Sequence, residues 1–107
     1  MRIEPHAAVL ADDLPAIYAF IARDNPTAAG RVLEAVQNTF DQLAQQPECG
    51  VPCKTRNPKL TDVRMLPVDD FANYLVFYRI EAGAVRILYV VHGARHLPRL
   101  FRREARS

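Results

Sequence analysis

The side chains able to do chemistry are few, and most familiar constellations are excluded by type. Ser107 is the only serine and sits at the terminus, so no serine nucleophile is available. Cys49 and Cys53 are spaced C-x3-C in a proline-rich stretch, and Lys54 adjoins the second. His6, His92 and His96 do not supply the two further ligands a zinc site needs, so reduced loop thiols are the simpler reading beside a disulfide or a metal. The glycines at 30, 50, 83 and 93 build no phosphate loop. Asp12-Asp13 and Asp69-Asp70 are adjacent pairs whose side chains diverge, so they read as cap and turn residues rather than chelators. No metal and no cofactor is expected.

What remains is basic and aromatic. Arg64, Arg79, Arg86, Arg95 and His92, with Tyr74, Tyr78 and Tyr89 among them, could hold RNA phosphates and stabilise a phosphoryl transition state without metal. The competing reading makes the tyrosines core and pairs the arginines with the twelve acids, and the sequence alone favours it.

The elements that would position these residues centre on Tyr74 to His96, where two runs rich in Val, Ile, Tyr and Phe flank Glu81-Ala82-Gly83. This is a hairpin pattern. A three-residue loop closed by Gly83 at positive φ sets Ile80 opposite Ala84 and Phe77 opposite Ile87. A four-residue connection instead sets Arg79 opposite Arg86, and like charges across a ladder are unfavourable, so the first register is expected. Both faces of these strands carry apolar residues and need cover.

Upstream, Met1 to Glu4 reads as an edge strand ended by Pro5. Leu10, Leu14, Ile17, Tyr18 and Ile21 recur at helical spacing, with Pro15 forcing a start near Asp12 or a kink in a longer helix from about His6. Asn25-Pro26 caps a second helix, which runs to about Gln46 and carries the stripe Ala29, Val32, Leu33, Val36, Phe40, Leu43 and Ala44. Pro47 to Asn57 is loop, Thr61 to Val68 a strand, and Leu97 to Ala105 a short C-terminal helix. The expected fold is α+β in two layers: an N-terminal strand, a helical hairpin packed on a mostly antiparallel sheet of about four strands, and that last helix.

The 107 residues make one domain, with half of them hydrophobic and no apolar run near the roughly 20 residues of a bilayer span. No secretory signal is evident, so the cytoplasm is the expected compartment. Residues 1–50 hold three Arg against seven acids, net −4; residues 51–107 hold eleven Lys and Arg against five acids, net +6. That asymmetry is either a guide for a partner or the mark of a solvated basic tail.

Several fragments in order carry a resemblance: Asp13-Leu14-x-x-Ile17-Tyr18-x-x-Ile21-Ala22, Asp24-Asn25-Pro26-x-Ala28-Ala29, Leu43-Ala44-x-x-Pro47-x-x-Gly50, Val63-Arg64, Tyr74-x-x-Phe77-Tyr78-Arg79 and Val91-His92-Gly93-Ala94-Arg95. Together they resemble the RelE/ParE family of bacterial toxins from type II toxin–antitoxin systems, over nearly the whole chain. The resemblance implies one of two activities. The RelE branch cuts messenger RNA on the ribosome; the ParE branch poisons DNA gyrase and blocks replication. Arg95 matches a family arginine, but Phe101 stands where the RelE branch has a tyrosine, and Leu75 where it has an arginine. A site lacking that charge and that proton carrier is impaired for phosphoryl transfer.

The chain therefore looks like the ParE branch. That implies a non-catalytic inhibitor of DNA gyrase, associated with plasmid stabilization, without sequence-specific nucleic-acid binding of its own. For the target-binding surface the expectation is Arg95, Leu97, Arg99, Leu100, Phe101, Arg102 and Arg103. The partner would be a cognate, ParD-like, DNA-binding antitoxin, a small acidic chain folding onto the helical hairpin at Ile17, Phe20, Ile21, Val32, Val36 and Phe40. A RelE-like ribonuclease using Arg64, Arg79, Arg86, His92 and Arg95 is the alternative, and a non-toxic antitoxin-binding module a third.

Overall fold

In the computed structural model, which describes residues 1–53, 57–94 and 106, a helical hairpin lies on one face of a five-stranded sheet. The strands are β1 (Arg2–Pro5), β2 (Val51–Pro52), β3 (Arg64–Val68), β4 (Phe71–Glu81) and β5 (Ala84–His92), and their spatial order is β1-β5-β4-β3-β2. β1 runs parallel to β5, and every other pairing is antiparallel. The expected layers and the mostly antiparallel sheet are present. The sheet has five strands rather than about four because Val51–Pro52, read as loop, pairs with Arg64 and Met65. Two residues are too few to show a period, and Pro52 is tolerated on an edge strand.

The first helix follows the longer of the two expectations. The chain is helical from Ala7, widens into a π-helical turn at Val9–Asp13, and continues as α1 (Leu14–Ala22). The wide turn lets Leu14 N–H reach the Val9 carbonyl while Pro15, which has no N–H to give, sits in the first turn of α1. α2 (Pro26–Gln45) starts as the sequence predicts, with the Asn25 side chain accepting from Ala28 N–H at 3.1 Å. Its buried face includes Thr39, whose hydroxyl donates to the Ala35 carbonyl (2.8 Å) and accepts from Asp69 N–H (3.0 Å).

The hairpin register is not the expected one. Ala82 (φ 52°) and Gly83 (φ 76°) form a two-residue turn, so Glu81 faces Ala84 and Arg79 faces Arg86. Two successive residues at positive φ match the right-handed twist of the strands. The Arg79 side chain answers the like charge opposite by ion-pairing with Asp62 (3.1 Å) and donating to the Lys59 carbonyl (2.7 Å). A bulge follows: Tyr78 pairs with Ile87 and Phe77 with Tyr89, leaving Leu88 as the extra residue.

Both faces of the sheet are covered. Ile17, Val32, Val36, Phe40 and Leu43 pack with Tyr74, Val76, Tyr78, Val85, Ile87 and Val90 on the helical side. On the other side Leu60 and Val63, from the connection that ends in β3, pack with Phe77, Leu88, Tyr89 and Val91.

Candidate functional site

Strand alternation decides where the basic candidates point. Arg64 precedes Met65, which packs on the outer cluster, so it faces the helical side. There its guanidinium donates to the carbonyls of Gly50 (2.8 Å) and Glu48 (3.3 Å). Arg79 lies between Tyr78 and Ile80, and Arg86 between Val85 and Ile87, all four packed on the helical side; both arginines therefore face away from the helices. His92 pairs with Tyr74 across the ladder and meets its ring edge-to-face at 5.3 Å, on the helical side. The described members of the ribonuclease set are thus divided, Arg64 and His92 on one face, Arg79 and Arg86 on the other. Even the first two sit opposite β4 residues four apart, Tyr78 and Tyr74, a separation of about 13 Å along a strand. A phosphoryl site needs its cations and proton carrier around one group. Arg95 lies outside the described residues.

Two of the three tyrosines weighed as proton carriers are fully or almost fully buried structural groups. Tyr78 is fully buried; its hydroxyl donates to the Pro47 carbonyl (2.8 Å) and accepts from Gly50 N–H (2.9 Å). Burial, partly opposed by the Gly50 N–H, pushes its phenol above the ordinary value. Tyr89 meets Phe77 edge-to-face at 6.4 Å and lies under the Arg106 guanidinium.

The residues expected to meet an antitoxin fall in two groups. Ile17, Val32, Val36 and Phe40 are buried against the sheet, because α1 and α2 turn those positions inward. Ile21 is half-buried, and Phe20 is 48% exposed. Leu10 and Tyr18 are exposed beside them in chain order. α1 carries no charged residue from Leu14 to Ala22 and buries only Ile17 fully, which leaves an apolar outward face. That uncharged run is the sequence signal for Tyr18, which the pattern-based set lacked; Leu10 lies before it, in the π-helical turn. The target-binding set Arg95, Leu97, Arg99, Leu100, Phe101, Arg102 and Arg103 lies outside the described residues, as does the short C-terminal helix.

Asp13 and Arg106 form a contact that sequence reasoning missed. The Asp13 carboxylate accepts two hydrogen bonds from the Arg106 guanidinium (2.6 and 3.0 Å) and one from Val90 N–H (3.0 Å). Cys49 and Cys53 are both free thiols, and they pack on opposite sides of the sheet. Among the described residues no cluster of His, Cys, Asp and Glu could hold a metal, and no helix is long and apolar enough to cross a membrane.

The architecture is that of small two-layer toxins of known structure. A chain of the chromosomal ParDE TA system from P. aeruginosa superposes with a TM-score of 0.70 at 19% identity, over 86% of this chain and 95% of that one. A YoeB/ParE toxin from Agrobacterium tumefaciens gives 0.57 at 12% identity, over 86% and 98%. In sequence, the chain is 31% identical over 87 residues to Y4kP of Sinorhizobium fredii (strain NBRC 101917 / NGR234), a protein named as a candidate toxin, covering 81% of this chain and 83% of that one. The family described as ParE toxin of type II toxin-antitoxin system, parDE, matches residues 6–97. The chain belongs to the ParE toxin family of type II toxin–antitoxin systems.

Proposed function

We propose that this toxin inhibits DNA gyrase without catalysing a reaction, stops replication in that way, and is neutralised by a cognate, ParD-like antitoxin. The observation that carries this reading over the ribonuclease one is the division of Arg64 and His92 from Arg79 and Arg86 by the sheet. Leu75, where the ribonuclease branch has an arginine, packs into the outer apolar cluster and supplies no charge. Membership of the ParE family points the same way. The antitoxin contact is assigned to the exposed flanks of the first helix, Phe20 and Ile21 from the predicted set on α1 with Tyr18, and Leu10 on the π-helical turn before it.

The test is pulse-labelling of DNA and protein synthesis immediately after induction of the chain without its antitoxin in a bacterial host. An early fall in DNA synthesis, followed by loss of supercoiling activity with purified gyrase, is expected. An early fall in protein synthesis would replace this reading with the ribonuclease, and no change in either would replace it with the non-toxic module.

A further inference from the structure

Arg106 is held by three kinds of group that recognise a guanidinium. Its two terminal nitrogens fork onto both oxygens of Asp13, and one also donates to the Leu88 carbonyl at 3.0 Å. Its carbon centre lies 4.5 Å from the centroid of the Tyr89 ring, and its backbone N–H donates to the Tyr89 hydroxyl at 2.7 Å. A bidentate carboxylate, a carbonyl and an aromatic face together select arginine over lysine, whose ammonium is a point charge without a planar fork.

The receiving groups are held by parts of the fold other than Arg106. Val90 N–H fixes the Asp13 carboxylate, whose side chain is only 8% exposed. β1 pairs with β5 only as far as Ile87, and the bulge leaves Leu88 without a partner on β4, so the Leu88 carbonyl is free to face the cation. Asp13, Leu88 and Tyr89 all lie within the segment the ParE family matches, residues 6–97, whereas Arg106 lies beyond it. The Arg106 side chain keeps 22% of its exposure, so the mouth of the site is open to solvent.

We propose that Asp13, the Leu88 carbonyl and the Tyr89 ring form an arginine receptor, filled in cis by Arg106, which an arginine of a partner protein occupies by displacing it. The partner segment that fits carries arginine with apolar residues in reach, because the helix that bears Asp13 exposes Leu10 three residues before it and Tyr18 five residues after it. This inference is independent of the identity of the target.

The experiment uses the full chain and argininamide as probe. Arg106→Ala leaves a nearly buried carboxylate unpaired and should lower Tm by about 10 °C or more. Millimolar argininamide should recover several degrees of that loss, lysinamide should not, and Asp13→Asn/Arg106→Ala should not respond. Equal recovery by the two amides, or equal recovery in the double variant, would overturn the receptor. If Arg106→Ala does not fold, Arg106→Lys carries the same comparison. In the unmodified protein, the amide resonance of Arg106 should shift saturably with argininamide, and a resonance unmoved while argininamide rescues the variant would overturn displacement.

Discussion

Replacing Tyr78 with Phe removes one oxygen atom and leaves two backbone groups of the 47–50 turn without partners. The hydroxyl accepts from Gly50 N–H at 2.9 Å and donates to the Pro47 carbonyl at 2.8 Å, and the residue has no exposed surface. Gly50 is itself buried, so water does not readily replace the lost acceptor. The Gly50 carbonyl, by contrast, keeps its bond from Arg64 at 2.8 Å. Stranding a buried donor costs about 1–3 kcal/mol, and for a domain of this size each kcal/mol lowers Tm by roughly 4–8 °C. The expected loss is about 2 kcal/mol, read by urea unfolding as a lower midpoint at unchanged slope. A second signature is alkaline. Because burial raises the Tyr78 pKa, its neutral form is favoured in the folded state. That contribution is complete below the ordinary tyrosine value of about 10 and is lost as pH rises from there through the folded value. The gap between parent and Tyr78→Phe should therefore narrow above about pH 10. A loss under about 0.5 kcal/mol, or a gap that does not change with pH, would refute the assignment of this hydroxyl as the tie between the turn and the sheet.

Other outcomes follow from the same packing. Gly50→Ala would place a Cβ 2.5 Å from the Tyr78 hydroxyl and 2.9 Å from the Met65 carbonyl, and backbone cannot yield as a side chain end does; thermal unfolding should show a loss of about 2 kcal/mol or more. Thr39→Val keeps the shape but strands Asp69 N–H and should cost about 1–2 kcal/mol in the same assay. Cys53, whose thiol pKa burial raises, should react with a disulfide reagent at pH 8 more slowly in the folded than in the unfolded chain. Mild oxidation should yield no bridge between Cys49 and Cys53, as read by intact mass after alkylation, because the two pack on opposite faces of the sheet.

The helices were legible because their signals are local. Asn25-Pro26 states a start within two residues, and the α2 stripe repeats over five turns, though Thr39 was passed over as polar when its partner, Asp69, is thirty positions away. The hairpin register was not legible, because it depends on Ala82 taking φ 52°, a conformation its side chain does not advertise. The facing of the alternative ribonuclease set was not legible for a related reason. Counting by twos from Arg86 puts His92 on the same face, but the bulge at Leu88 inserts one residue and sends His92 to the helical side. One unpaired residue therefore puts on opposite faces groups that a regular strand would have kept on one, though still six residues apart along it. The bulge that undoes that constellation also frees the carbonyl that Arg106 takes.

The charge asymmetry acquires a spatial meaning in this fold. The acidic half, residues 1–50, is β1 and the helical hairpin, and the basic half supplies most of the sheet and the segment beyond it. A partner that settles on α1 meets an uncharged helix whose C-terminal border carries the opposite charges of Arg23 and Asp24 side by side, so the contact is governed by apolar surface. Arg106 joins the two layers, because it carries charge from the basic half to Asp13 at the start of α1 and bonds there to Leu88 of β5.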